Sequence, residues 1–256
     1  MTPHLRQAKI ANIIRRARKA TVNELAKALN TSRETIRRDL SVLSRAGKVQ
    51  KFHGGACLPM TTQEGTFSQR MGENVPAKIL VSTQATSLIS PGETVLIDSG
   101  STSLYFAEKM AEIPGLTVVT NSADIAKTIS LSPEKSRAFL LGGQFNGDNC
   151  QTVGTFAVSQ LKLFRAHHAI LTVSALDVTT GVMDYNIEEA QVAQAMIAQA
   201  EALTVILDAS KFNRIASFKV CDLDSIDNLI CDVPPPPELA RALEQAHVNV
   251  ICVGRG

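Results

Sequence analysis

Apolar residues near the start of the chain recur at helical spacing and predict short helices. Between His4 and Arg18 they stand three or four positions apart with basic residues among them, which indicates a first helix. Thr21 and Glu24 have the spacing of a capping box, whose two side chains satisfy free backbone N–H groups at a helix start. We therefore expect a second helix over residues 23–29.

The third predicted helix is SRETIRRDLSVL, with Thr31 or Ser32 as its N-terminal cap. Its apolar residues Ile36, Leu40 and Leu43 stand at i, i+4 and i+7 and form one stripe. The opposite face is consequently polar and basic. After this helix, VQKF and HGGA predict a two-stranded hairpin.

Two short helices joined by a tight turn and followed by a hairpin are typical of a winged helix-turn-helix, whose second helix enters the DNA major groove. Arginine suits this helix because its guanidinium can bond guanine or a phosphate through two N–H groups. The candidate DNA contacts are Ser32, Arg33, Glu34, Thr35, Arg37, Arg38, Lys51 and His53. Asp39 is expected to pair with a neighbouring arginine instead. The alternative is that these charges only solvate a small helical domain.

The pattern changes after residue 57. Residues 58–77 contain few apolar residues and several Gly, Pro, Ser and Thr, which indicates a linker between domains at 1–57 and 78–256. Beyond it, helical stretches alternate with short runs rich in Val, Ile and Leu: TVLID, LTVVT, AFLLG, HAILTVSA, LTVILD and NLICD. This alternation predicts an α/β domain with a doubly wound, mainly parallel sheet.

The first of these strands ends in a loop that has the composition of a phosphate-binding site. Glycine allows a close backbone approach, hydroxyls donate hydrogen bonds, and the start of the next helix offers free N–H groups. The loop residues are Asp98, Ser99, Gly100, Ser101, Thr102 and Ser103. Serine and threonine also cap ordinary helices, so simple capping is the alternative.

Other strand ends and one helix supply groups that suit a phosphorylated sugar. A lysine could offset phosphate charge, while amide, hydroxyl and carboxylate groups could bond sugar hydroxyls. The candidates are Asn121, Gly142, Gly143, Ser174, Asp177, Glu189 and Lys211. Their alternatives are local: Asn121 could start a helix, the glycine pair could turn the chain, and Glu189 could lie on an exposed helix face.

Charge is distributed unevenly between the two predicted domains. Residues 1–56 hold 13 Lys and Arg against 3 Asp and Glu, a formal charge of +10, whereas residues 57–256 hold 13 against 21, a charge of −8. A basic module on an acidic domain indicates a polyanion-binding function.

The cysteines and the hydropathy pattern bound the remaining possibilities. The five cysteines are scattered, without a CxxC pair or histidines at metal-ligand spacing, so we expect neither a disulfide framework nor a metal site. The start of the chain lacks a signal-peptide pattern, and no run is long and apolar enough to span a membrane. We expect a cytoplasmic protein with no membrane partner.

The segment SRETIRRDLSVLSRAGKVQKFHGGA resembles the signature of the DeoR/GlpR family of bacterial sugar-metabolism repressors. The resemblance continues in IDSGST, VVTNS, LLGGQF, NIEEA and DASKF. It implies a winged helix-turn-helix followed by a sensor domain similar to sugar-phosphate isomerases. Two positions depart from the family pattern, because Leu176 and Asn213 stand where glycine is usual.

These features together predict a DNA-binding transcriptional repressor of carbohydrate or polyol metabolism. Its expected partners are an operator in double-stranded DNA, a phosphorylated sugar or polyol effector, and further copies of itself in a dimer or tetramer. We expect no catalytic residue and no cofactor.

The alternative is an isomerase-like enzyme with an appended nucleic-acid-binding domain, but enolisation needs an acid and a base at one carbon. Ribose-5-phosphate isomerases, as a family, place a cluster of acids in a stretch that VSALDVTTG resembles, and here only Asp177 is acidic. An RNA-binding or architectural DNA protein would leave the phosphate loop without a role.

Overall fold

The chain folds into two compact units, Met1–Thr61 and Thr62–Gly256. A computed structural model describes residues 2–17, 19–45, 49–52, 54–57 and 65–254. Each unit buries its own apolar side chains: one cluster lies in the first unit, and the two largest clusters lie in the second.

The first unit combines three helices with a small sheet. Its elements are α1 (Pro3–Ala17), β1 (Lys19–Thr21), α2 (Val22–Ala28), α3 (Arg33–Arg45), β2 (Gln50–Phe52) and β3 (Gly55–Cys57). The predicted stripe of α3 is confirmed, because Ile36, Leu40 and Leu43 are buried with Ile10 and Leu25. The capping box at α2 is also present, with the Thr21 N–H donating to Glu24 Oε2 at 2.7 Å.

The wing is the antiparallel pair β2–β3, in which Gln50 lies opposite Cys57. A third strand, β1, pairs with the other edge of β3 and ties the wing to the start of α2. The sequence did not predict β1, because three residues are too few for an alternating pattern to be recognised.

The second unit alternates strands and helices, as predicted. Its helices are α4 (Phe67–Gly72), α5 (Val75–Thr86), α6 (Ser101–Met110), α7 (Ala123–Ser130), α8 (Thr155–Leu161), α9 (Ile187–Ile197) and α10 (Pro237–Gln245). Its strands are β4 (Thr94–Ile97), β5 (Thr117–Thr120), β6 (Arg137–Leu140), β7 (Gln144–Asn146), β8 (Gln151–Val153), β9 (Ala166–Thr172), β10 (Ala175–Asp177), β11 (Gly181–Asp184), β12 (Ala200–Leu207), β13 (Phe218–Cys221), β14 (Asn228–Cys231) and β15 (Asn249–Cys252).

Part of the segment predicted as a linker is helical. Thr66 and Gln69 form a capping box that starts α4, and α5 begins at Val75. The T-x-x-Q spacing of a capping box is present in the sequence, but the linker was predicted from the polar composition of the segment alone. Residues 58–64 of the predicted linker lie outside the described residues.

Seven parallel strands form the main sheet, in the order β15-β14-β12-β9-β4-β5-β6. Helices α5, α6 and α7 pack on one face, and α8, α9 and α10 pack on the other. In β4, for example, Val95 and Ile97 point to one cluster and Leu96 to the other. The predicted doubly wound, mainly parallel fold is confirmed.

The strand order reverses between β4 and β9, and this reversal positions the site. From β4 the chain proceeds to β5 and β6 on one side, then returns to add β9 and β12 on the other. In open α/β sheets, ligands bind outside the carboxyl ends of the strands at this point. The predicted strand HAILTVSA is divided between two sheets: β9 stops at Thr172, and β10 begins a separate antiparallel sheet with β11 and β13.

Candidate functional site

The outer face of α3 in the first unit is exposed and basic. Arg33, Arg37 and Arg38 are exposed on this helix, and Lys51 of β2 is exposed on the wing. The Lys51 ammonium donates to Ser41 Oγ of α3 at 3.1 Å, which holds wing and helix together. Among the described residues, this face therefore presents the cations that the sequence predicted. His53, also predicted to contact DNA, lies outside the described residues.

Three other predicted residues of this face have partners within the unit. Ser32 is the cap of α3: its hydroxyl accepts the Thr35 N–H at 3.2 Å and lies 2.8 Å from the Thr35 hydroxyl. The Glu34 carboxylate lies 3.8 Å from the Arg37 guanidinium and 3.6 Å from that of Arg38. Asp39 is buried and accepts from Arg6 Nε at 2.5 Å, so its arginine partner lies on α1, 33 positions away in the sequence, and is not the predicted neighbour.

In the second unit, two adjoining depressions at the carboxyl ends of β4, β9 and β12 form one cleft at the strand-order reversal. They share Ser99, Thr172, Val173, Asp184 and Glu189. The other polar residues that line this cleft are Arg70, Glu73, Asn74, Lys78, Asp98, Ser101, Thr102, Asn121, Gln151, Ser174, Asp208, Ser210 and Lys211.

Helix α6 begins at the cleft, with Ser101 and Thr102 in its wall. The first N–H groups of a helix have no acceptor within it, and they favour an anion. Gly100 lets the loop pass close to β9, because a Cβ at this position would lie 2.1 Å from Thr172 Oγ1. The arrangement suits a phosphate at the start of α6.

A hydrogen-bonded chain joins the loop to the opposite wall of the cleft. Gln151 Oε1 accepts from the Ser99 hydroxyl and, at 3.3 Å, from Asn121 Nδ2. Gln151 Nε2 donates to Glu189 Oε1 at 2.6 Å. The buried Asn121 Oδ1 has no partner among the described residues and is an acceptor available to a ligand.

Asp98 is held at the junction of β4 and β9. Its carboxylate accepts from the Ser103 hydroxyl at 2.6 Å and from the Thr172 N–H at 3.0 Å. Burial raises the pKa of Asp98 well above its ordinary value, although both hydrogen bonds favour the charged form. Nearby Asp184 and Glu189 raise the pKa of Asp98 further.

Three cations, Arg70, Lys78 and Lys211, line the same cleft. Lys78 is buried on α5, and its ammonium donates to the Arg70 carbonyl. Burial lowers the pKa of Lys78 below its ordinary value; Asp208 opposes this effect, while Lys211 and Arg70 add to it. An anion bound beside this cluster would relieve the repulsion among the three cations.

Five predicted ligand residues do not line the cleft. Gly100 and Ser103 contact residues that do line it: Gly100 approaches Thr172, and the Ser103 hydroxyl donates to Asp98. The exposed Gly142 donates its N–H to Gln160 Oε1 at 3.0 Å, and Gly143 starts the β7–β8 hairpin. Asp177 is buried and accepts from the Thr179 N–H and the Thr180 hydroxyl within its own hairpin.

Several residues of the cleft were not predicted from the sequence. Arg70, Asn74, Lys78, Gln151, Thr172 and Asp184 line it without having been predicted. A signal existed for Lys78, because it shares the buried stripe of α5 with Val81, Ser82 and Ala85. A cation on an apolar stripe is rare unless it has a partner or a function. The other five gave no such signal.

The two departures from the family pattern have separate structural settings. The Leu176 side chain is fully buried in the apolar core, and Leu176 is not among the residues lining the cleft. Asn213 has a φ of 54°, a left-handed conformation that asparagine tolerates better than most residues, and its N–H donates to the Leu176 carbonyl.

In the part of the chain that the structure describes, no group of three or more His, Cys, Asp or Glu is arranged to hold a metal ion. No helix in the same ranges combines the length and apolar character needed to cross a membrane.

Two family models match the chain. The model described as the DeoR-like helix-turn-helix domain matches residues 6–62, and the DeoR C terminal sensor domain matches residues 73–233. Together they account for both compact units.

Curated relatives match along nearly the whole chain. An Escherichia coli protein named as aga operon transcriptional repressor is 31% identical, covering 97% of this chain and 93% of that protein. The glycerol-3-phosphate regulon repressor of Escherichia coli is 25% identical, with 94% and 95% covered. The transcriptional regulator GolR of Listeria innocua is 29% identical, with 98% of each covered.

Solved structures are similar at a greater distance. A ribose 5-phosphate isomerase A from Methanocaldococcus jannaschii aligns with a TM-score of 0.40 at 15% identity, covering 55% of each chain. eIF2B beta from Chaetomium thermophilum aligns with a TM-score of 0.45 at 16% identity, covering 60% of this chain and 48% of that one. Similarities this remote do not bear on activity.

Proposed function

The chain belongs to the DeoR family of DNA-binding transcription regulators, and on this basis we propose that a phosphorylated sugar or polyol binds its cleft and controls its DNA binding. We further propose that it represses genes of carbohydrate or polyol metabolism, in the cytoplasm where its operator lies. The relatives described above are named as regulators and repressors, so the isomerase alternative is set aside.

One observation supports the proposed ligand most strongly: a helix start and three cations line one cleft at the strand-order reversal. A phosphate at α6 would accept from the Ser101 and Thr102 N–H groups and hydroxyls. Lys78, Lys211 and Arg70 would offset its charge of nearly two at neutral pH. An uncharged sugar would make no ionic contact with these three cations.

The carboxylate side of the cleft suits the rest of a sugar or polyol. Asp184 accepts from the Ser174 hydroxyl at 3.2 Å, and Glu189 is held by Gln151. Ionised carboxylates only accept hydrogen bonds, and a polyol offers several hydroxyl donors. The name of the glycerol-3-phosphate regulon repressor, which includes a phosphorylated polyol, is consistent with this class.

We propose that α3 and the wing bind the operator. The exposed Arg33, Arg37 and Arg38 would bond bases or phosphates in the major groove, and Lys51 a flanking phosphate. One such unit reads a short half-site. We therefore propose a homodimer or homotetramer, with half-sites repeating every 34–36 Å or a multiple of it.

The proposed control needs an attainable difference in binding energy. Shifting a regulator from about 1:99 to 99:1 requires a preference for one state of roughly 5.5 kcal/mol. Two or three charge-assisted hydrogen bonds made in one state only, at about 1.5–3 kcal/mol each, supply that difference. One phosphate group bound in one state only is therefore sufficient to switch the regulator.

A thermal-shift panel of sugar and polyol phosphates, each beside its unphosphorylated counterpart, tests the proposal. One or a few phosphorylated compounds should raise the melting temperature and change operator affinity, and Lys211→Ala and Ser101→Ala should abolish both effects. Stabilisation by unphosphorylated compounds alone would contradict the phosphate site.

A further inference from the structure

The first unit contains only three acidic residues, and two of them have structural tasks. Glu24 completes the capping box of α2, where its carboxylate accepts the Thr21 N–H. Asp39 is buried and accepts from Arg6 and Gln7. Both carboxylates stabilise the fold and need no DNA contact to explain them.

Glu34, the third acid, is different. It lies in the first turn of α3 with 63% of its side chain exposed, and the ion pairs it makes there are with Arg37 and Arg38 on the same helix. Exposed ion pairs of this kind add little stability. The structure thus gives Glu34 no substantial task in holding the unit together.

A carboxylate on this face weakens DNA binding in general, because it approaches a polyanion. Such a residue is useful where it discriminates, since a group that repels wrong sequences and bonds the right one increases specificity. The N-terminal residues of a recognition helix are those that reach base edges, and Glu typically accepts from the N4 amino group of cytosine.

We propose that Glu34 is a specificity-determining residue, which accepts a hydrogen bond from cytosine N4 in the major groove of the operator. This inference rests on the proposed docking of α3. Arg37 and Arg38 bond the neighbouring bases or phosphates, and their charges reduce the repulsion between Glu34 and the DNA backbone.

Replacing Glu34 then has two effects of opposite sign. Affinity for random duplex DNA rises, because one negative charge is removed from the contact face. Preference for cytosine at one operator position falls by about 5-fold to 150-fold, the range for a lost base contact. Glutamine can bond adenine N6 and N7, so Glu34→Gln moves the preference towards adenine, whereas Glu34→Ala removes it.

The test is binding-site selection from randomised duplexes with the full chain, followed by affinities for the selected operator and for random DNA at one salt concentration. Glu24→Gln is the matched control: it removes the same charge from the same unit, and glutamine still completes a capping box. Its base preferences should equal those of the wild type. Thermal unfolding is measured for every variant.

The expected result is a changed preference at one position in the Glu34 variants only, with tighter binding to random DNA. An unchanged preference profile overturns the proposal, and a lower melting temperature with that profile would assign Glu34 to the helix N-terminus alone. Arg37→Ala separates a failure of the proposed docking of α3 from a failure of the proposed role of Glu34. If Arg37→Ala binds operator normally, the docking of α3 fails; if it binds weakly while Glu34 variants read sequence normally, only the role of Glu34 fails.

Discussion

Lys78 places a positive charge on the buried stripe of α5, where an apolar side chain would pack at lower cost. Lys78→Met should lower affinity for the best phosphorylated ligand of the panel by about 10- to 150-fold, the loss of one charge-assisted hydrogen bond of about 1.5–3 kcal/mol. The melting temperature of the free protein should stay the same or rise. Isothermal titration and thermal unfolding measure the two effects.

Lys109→Met is the matched control for Lys78, because Lys109 is exposed at the end of α6. It should bind the ligand as the wild type does. Equal affinity in Lys78→Met and wild type would remove Lys78 from the ligand site.

Asp98 gives a pH dependence of known sign. Because burial raises its pKa in the folded chain above the unfolded value, the folded state holds the proton more tightly. The free energy of unfolding should therefore fall as pH rises from the ordinary aspartate range through the raised pKa. Denaturant titrations across pH should show this loss in the wild type and a smaller one in Asp98→Asn. Equal slopes in the two proteins would mean that Asp98 does not titrate in this way.

Single residues were predictable from sequence only where the signal was local. Ser99, Ser101 and Thr102 stand together in the sequence where a strand gives way to a helix, and all three line the cleft. Gln151 was not, because it lies in a three-residue strand and reaches Ser99 and Glu189 only through the fold.

At the scale of elements, the approach of the β4–α6 loop to β9 shapes the cleft. Gly100→Ala would bring a Cβ within 2.1 Å of Thr172 Oγ1, so it should destabilise the chain by about 1–3 kcal/mol. Thr172→Ala removes that oxygen. The double variant should lose less stability than the two single variants combined, as measured in a double-mutant cycle by denaturant unfolding. Additive losses would show that the two elements do not meet at this point.

Most elements were predictable because their apolar pattern is strong: α3 has an apolar stripe at helical spacing, and β4 contains a continuous apolar run. The exceptions depend on contacts that are distant in sequence. Strand β1 exists through its pairing with β3, and the run HAILTVSA divides because Thr172 and Ala175 join different sheets. Helix α4 was assigned to the linker because its composition is polar, although its capping box was visible.

At the scale of the whole molecule, control of DNA binding by an effector requires the two domains to be coupled. Thermodynamic linkage makes this coupling reciprocal, so the factor by which effector changes operator affinity must equal the factor by which operator changes effector affinity. We expect a factor of about 5 to 150, a coupling of roughly 1–3 kcal/mol. Titrating effector into free protein and into the operator complex measures one factor; titrating operator with and without effector measures the other. Unequal factors would point to a change in assembly state between the experiments.

The most direct test of the central claim is an operator titration in the presence of the best phosphorylated ligand or its unphosphorylated counterpart. The phosphorylated compound alone should change operator affinity, and Lys78→Met should bind operator normally but respond only weakly at the ligand concentration that just saturates the wild type. An equal response to both compounds, or an undiminished response in Lys78→Met, would contradict a phosphate-gated cleft.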